Sequence, residues 1–166
     1  MEKKSMADLL QLVVFRLEAE EFGVEILKAR GIHKIPRITP VPQAPEFVEG
    51  VFNLAGEIIP LVDLRKRFGM NVHDSDNQNR VVIVEVGDKK LGMIVDAVEE
   101  TLWVPLAQIE PPPAGVGKMN TDYIQGICKV QDRLIVLLNL EQLLTTREVA
   151  ELDSLEEAAE NMAEVG

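Results

Sequence analysis

A single cysteine, Cys128, leaves this 166-residue chain with no partner for an internal disulfide. Only two histidines, His33 and His73, accompany it, and none of the three stands at the i, i+4 or C-x-x-C spacing of a zinc site. Aromatic residues make up 4% of the chain, few rings on which to stack bases, and a formal net charge of -11 repels a phosphate backbone. Nucleic acid is a poor partner for such a surface. The longest apolar runs, such as LIVLL at 134–138, stop far short of the roughly 20 residues a spanning helix needs, and MEKKSMADLL has no apolar core for an export signal. A soluble, cytosolic protein is expected.

Catalytic chemistry is missing as well. No G-x-x-x-x-G-K or G-x-G-x-x-G segment is present to cradle phosphates. Ser5 and Ser154 lie near the termini, Ser75 lies in a polar loop beside His73, and Cys128 sits inside an expected strand, where it reads as core. Asp74, Asp76, Gln78 and Glu85 imitate calcium-loop spacing, but Asn79 holds the glycine position and Glu85 falls in a strand, so a solvated turn is the reading. No catalytic, cofactor-binding or metal-binding residue is expected. An acidic β protein without an active site is best explained as a binding or scaffolding module that works through its edges and turns.

What is there is a series of short β-branched runs in pairs. LQLVVFRL (10–17) with FGVEIL (22–27), and RVVIVEV (80–86) with LGMIV (91–95), read as hairpins, the second turning at Gly87-Asp88. Residues 52–64 (FNLAGEIIPLVDL) and 124–138 form two more, breaking at Ala55-Gly56 and at Gln131-Asp132. Gly56 is expected to supply the positive φ of a type II turn. Short strands with tight turns argue for barrels or a sandwich.

The hairpins repeat. A slide of 76 places sets FVEGVFNLAGEIIPLVDL (47–64) over YIQGICKVQDRLIVLLNL (123–140), and a slide of 69 sets LVVFRLEAEEFGVEI over VVIVEVGDKKLGMIV. Both overlays run in the same order at nearly the same offset, so two related β units are expected, over about 10–70 and 80–144, with intertwining allowed. The polar segment 73–79 and the proline-rich segment 109–122 read as linkers. LRKRFGM (64–70) reads as a short helix capped by Asp63, with 140–144 its counterpart and Asn139 in the same capping position. Trp103 reads as core near the junction of the units, with an interface role as the alternative. After Glu148, Val149, Leu152, Leu155, Ala159 and Met162 recur at helical spacing, so 146–166 is expected to form an acidic C-terminal helix.

From Leu10 to Leu144 the chain resembles the CheW family, the coupling adaptors of bacterial chemotaxis arrays. The likeness is carried by LQLVVFRL, EEFGVEILK, TPVPQAPEFVEGVFNLAGEIIPLVDLRKRFG, VVIVEVGDKKLGMIVDAVEE, IEPPP and DYIQGICKVQDRLIVLLNLEQLL. It implies one CheW-like domain over 1–145, mainly β, with two SH3-like five-stranded barrels around a joint core. It also implies a non-enzymatic scaffold that bridges the cytoplasmic tips of chemoreceptors to the regulatory domain of the CheA histidine kinase, and so recruitment to membrane-associated arrays without insertion. The alternative is an adaptor of a divergent, non-chemotactic kinase pathway with altered or lost receptor coupling. By the same resemblance the kinase-facing and receptor-facing surface includes Lys28, Ala29, Gly31, Gly50, Asn53, Ala55 and Gly56, with the receptor tip held between the barrels. This chain departs from the family at two positions expected to form a charge pair: Ala55 stands in place of an arginine and Gly31 in place of a glutamate.

Overall fold

Arg80–Val86 shows how the fold is built. Its side chains alternate between two different cores, Val81 and Ile83 on one side and Val82 and Val84 on the other, and all four are buried. A strand covered on both faces needs an unbroken apolar run, and RVVIVEV has one.

The computed structural model describes residues 8–71, 77–112 and 121–143. In chain order these hold β1 (Leu9–Leu17), β2 (Glu20–Glu25), β3 (Ala29–Lys34), β4 (Val48–Leu54), β5 (Glu57–Asp63), the four-residue helix α1 (Leu64–Arg67), β6 (Arg80–Val86), β7 (Lys89–Val95), β8 (Ala97–Pro105), β9 (Ile109–Glu110), β10 (Ile124–Val130) and β11 (Arg133–Leu138). Short 3₁₀ turns at Ile26–Lys28 and Leu106–Gln108 link β2 to β3 and β8 to β9, a third at Thr121–Tyr123 precedes β10, and a fourth at Leu140–Gln142 follows β11. The expected acidic C-terminal helix over 146–166 and most of the 73–79 and 109–122 linkers lie outside the described residues.

The strands form two mixed sheets, ordered β3-β6-β7-β5-β4 and β8-β1-β2-β11-β10-β9. The protein is mainly β, as expected, with five strands in one sheet and six in the other, the sixth only two residues long. Each sheet turns back on itself. Thr39, beyond the end of β3, exchanges two 2.9 Å backbone hydrogen bonds with Val51 of β4 at the opposite edge. In the other sheet, the edge strands β8 and β9 are separated in the chain only by Leu106–Gln108.

Sheet membership does not follow the order of the two sequence units. Each sheet combines a hairpin from one half of the chain with strands from the other: β1 and β2 join β8–β11, while β3–β5 join β6 and β7. The exchange is made by two parallel contacts, Leu61↔Gly92 between β5 and β7 and Leu137↔Gly23 between β11 and β2. Those two pairs correspond under the 76- and 69-residue slides, so the sequence repeat is also a repeat of register. The bulges agree too, between Val48 and Gly50 in β4 and between Ile124 and Gly126 in β10.

Three apolar clusters result. Leu12, Val14, Ile135 and Leu137 fill the six-stranded sheet, and Phe52, Ile59, Leu61, Val81 and Ile83 fill the five-stranded one. The largest lies between the sheets and draws on both, with Phe15, Phe22 and Leu138 meeting Val82, Met93 and Phe68. Phe22 stacks on Phe15 and on Phe68 at centroid distances of 6.2 and 5.9 Å. At its border, the Arg67 guanidinium lies 4.8 Å from the Phe47 ring and 5.0 Å from the Tyr123 ring, and its Nε donates to the Leu143 carbonyl at 2.8 Å. Phe47 and Tyr123 are repeat equivalents, so this cation joins the two units at matching points.

One buried ionic group ties the same junction. Asp63 caps α1, accepting from the Arg65 backbone N–H at 2.9 Å, and its carboxylate is held by Arg65 Nε and Nη2. Arg65 Nη1 reaches Asp96 at 2.8 Å, and Asp96 accepts the Glu18 backbone N–H in the β1–β2 turn at 2.6 Å. Hydrogen bonding to Asp63 raises the Arg65 pKa above its ordinary value, so the cation is permanent. Asn139 occupies the equivalent position before the 3₁₀ turn at 140–142 with an extended backbone, but its side chain makes no capping hydrogen bond, against expectation. Cys128 is fully buried, as expected, whereas Trp103 is 49% exposed and is not a core residue.

Phe22→Ala should lower the free energy of unfolding by about 3–5 kcal/mol, because both ring contacts and the joint core are lost together. Urea denaturation followed by circular dichroism checks this, with Leu134→Ala, at an exposed position, expected within about 0.5 kcal/mol of the parent.

Candidate functional site

The seven residues singled out from the resemblance divide into three groups. Lys28 ends the 3₁₀ turn before β3, where its Nζ lies 3.0 Å from both carboxylate oxygens of Glu141 and 3.8 Å from Glu25. That pairing lowers the Glu141 pKa, chiefly through the hydrogen bond from Lys28. Ala29 and Gly31 flank the bulge that opens β3, with Ala29 half-buried against the joint core.

Gly50 belongs to the architecture. Its φ is +145°, and a Cβ there would stand 2.2 Å from the Thr39 carbonyl oxygen, in the place where the five-stranded sheet closes. Its repeat equivalent Gly126 meets the Glu110 carbonyl oxygen in the same way, at 2.9 Å. Both glycines let backbone pass backbone.

Asn53, Ala55 and Gly56 form the β4–β5 turn. The Asn53 side-chain oxygen accepts the Gly56 N–H at 2.9 Å. Ala55 has φ 51° and Gly56 φ 89°, so both central residues are left-handed and the turn has the signature of type I′ in place of the expected type II. The right-handed twist of the two strands selects it. Glu18, Gly87 and Gln131 open the other three hairpin turns at φ 56°, 63° and 55°, so the conformation belongs to the repeat and alanine is accommodated in it at some cost.

Among the described residues β3 is an edge strand, paired with β6 alone, and Arg30 and Ile32 through Ile35 are all exposed. Leu27 is 81% exposed and Ile32 44%. Arg30 is tied to Glu85 at 2.7 Å and to the Leu27 carbonyl at 2.6 Å. Lys34 and Arg37 have no ion-pair or hydrogen-bond partner among the described residues. The antiparallel bridge between Thr39 and Val51 runs Ile38 and Arg37 back along β4 in the direction of the 53–56 turn, so the basic edge and that turn belong to one side of the five-stranded sheet. The sequence did carry a signal of this edge: no aspartate or glutamate occurs between Glu25 and Glu46.

Two clefts occupy equivalent places, where a hairpin turn of one half meets one of the other. The first, of about 310 Å³, lies between Gly56, Glu57 and Ile58 and the segment from Glu85 to Lys90. The second, of about 680 Å³, lies between Arg133, Leu134 and Arg16 with Glu20 and Glu21. Each is bridged by an ion pair of 2.9 Å, Glu57–Lys90 in the first and Arg133–Glu21 in the second. The charges are exchanged: the acid of one pair stands where the base of the other does. Among the described residues no group of three or more His, Cys, Asp or Glu side chains converges on a metal-sized site, and burial pushes the Cys128 thiol pKa up. The surface can bind, through exposed apolar side chains and cations.

Comparison with known proteins places the whole framework. The model for the CheW-like domain matches residues 11–148. The chain is 32% identical over 145 residues to the chemotaxis protein CheW of Klebsiella aerogenes, covering 87% of each protein, and 33% identical over 137 residues to that of Helicobacter pylori, covering 82% of each. Its fold is similar to the crystal structure of the scaffolding protein TtCheW from Thermoanaerobacter tengcongensis, with a TM-score of 0.79 and 37% identity over 89% of this chain and 94% of that one. This chain belongs to the CheW-like family.

Asparagine tolerates the left-handed region better than alanine does, so Ala55→Asn should raise stability by about 0.5–1 kcal/mol. A shift of the urea midpoint without a change in slope checks it.

Proposed function

We propose that this protein is a chemotaxis coupling adaptor, a scaffold without turnover that binds the regulatory domain of a CheA-type histidine kinase and the cytoplasmic tip of a chemoreceptor. Family membership supports the class of function. The observation that carries the residue-level reading is the β3 edge, where Leu27, Ile32 and Ile35 stand exposed beside Lys34 and Arg37, which have no partner among the described residues. An apolar strip with free cations favours a partner surface that is itself apolar and acidic. The turn at 53–56 extends this contact, and Lys28, Ala29 and Gly31 position the strand that presents it.

The family's arginine at 55 and glutamate at 31 are absent together. Gly31 has φ +156°, and a Cβ there would come within 3.0 Å of His33 Nε2, so a glutamate at 31 carries a conformational cost unrelated to binding. Residue 55 is therefore the place to restore the family charge, since its backbone is exposed and already occupied by a side chain.

Titration with the kinase regulatory domain, alone and with a receptor tip, should give saturable binding to each. No binding to either removes the adaptor reading. Ile32→Asp should weaken kinase binding by about tenfold, or ~1.4 kcal/mol, while leaving the urea midpoint in place. Ala55→Arg should tighten binding to a family-typical kinase domain, and an unchanged affinity would make position 55 neutral.

A further inference from the structure

The chain's one tryptophan takes no part in the β3 surface. Trp103 stands half-exposed on β8, an edge strand among the described residues, and Leu106 just beyond that strand is exposed as well. Register fixes the face on which the indole lies. Trp103 pairs with Gln11 of β1, and the next pair on the same face is Thr101 with Val13, a residue of the joint core. The tryptophan therefore belongs to the inner face of the six-stranded sheet, one row beyond Val13. Val98, further back on β8, is half-buried against the joint core, as is Ala29, its equivalent under the 69-residue slide. On the other side of β1, Glu25 of β2 pairs with Leu12, and the 3₁₀ turn that follows carries Ile26, packed against the joint core, and the exposed Leu27.

Trp103 and Leu27 thus flank the start of β1, with the half-buried Gln11 between them. β8 and β2 lie two strand spacings apart, about 10 Å, and one α-helix with its side chains is about 10–12 Å across. A trough of that width with apolar walls takes a single helix by its apolar stripe, and a tryptophan wall is the kind of anchor on which such contacts depend. We infer that this trough seats one α-helix of the receptor tip, and that Trp103 is the anchor that sets which apolar stripes it accepts. The assignment rests on the adaptor function proposed above and adds to it a second surface, on the sheet opposite the β3 edge, with Leu27 at the point where the two surfaces meet.

Because no second tryptophan is present, the tryptophan fluorescence of the intact protein reports on Trp103 alone. Adding a tryptophan-free fragment of a chemoreceptor tip should move the emission to shorter wavelength as the indole leaves water. Trp103→Ala should weaken binding of that fragment about tenfold and Trp103→Phe by less than about threefold, with the urea midpoint and the affinity for the kinase regulatory domain unchanged in both. A tip that binds without moving the emission, or that binds the Trp103→Ala variant as tightly as the parent, would overturn the inference while leaving the adaptor function in place. Affinity lost for the kinase domain alone would give the trough to the other partner and overturn it too. A parent protein that binds no tip removes the receptor arm of the proposed function, and the occupant of the trough with it.

Discussion

The two sheets share one core, and neither can be covered without the other. β6 and β1 are apolar on both faces, with Val81 and Ile83 or Leu12 and Val14 turned into their own sheet and Val82, Val84 or Phe15 turned toward the other. A sheet with two apolar faces cannot rest in water on either side, so the second face must meet a second sheet. Strand exchange follows from this demand, because each half of the chain lends a hairpin to the sheet of the other. The Asp63–Arg65–Asp96 group and the Arg67 clasp lie at the rim of that core, where the desolvation of each charge is offset by a full set of partners.

Much of this was legible in the residues. Alternation and turn chemistry located the hairpins, and the paired glycines, 50 with 126 and 23 with 92, marked the repeat before any register was known. The exchange of hairpins was not legible, because alternation tells which face of a strand is apolar and is silent on which distant strand lies beside it. Turn type was misread at 55–56 for a related reason: the strand twist demands a left-handed residue first, and alanine does not advertise that conformation. Trp103 was misplaced because its neighbours in sequence are apolar while its position on the edge strand β8 is not covered. For the candidate site, Gly50 carried a family signal that the structure assigns to backbone closure. The absence of carboxylates between Glu25 and Glu46 is the one sequence signal of the exposed basic edge at β3.

The joint core leaves this architecture's binding capacity at its margins. Among the described residues, edges and turns are what is left for binding once both faces of the central strands are consumed by packing. The 53–56 turn, the β3 edge and the two clefts all lie at such margins. Leu134 in the larger cleft is 60% exposed, an apolar residue framed by Arg133 and Arg16, which gives the second half of the molecule a margin of the same kind.

The reversed ion pairs bear on how the chain finds its topology. Had the first half closed on itself, with β5 beside β2, Glu57 would have faced Glu21, and in the second half Arg133 would have faced Lys90. The native exchange turns both like-charge encounters into attractions, Glu57 with Lys90 and Arg133 with Glu21. Each pair is exposed and worth less than about 1 kcal/mol, yet the contrast counts both repulsions avoided and both attractions gained. During folding, when two similar hairpins compete for the same neighbour, this contrast in charge favours the right one over its near twin.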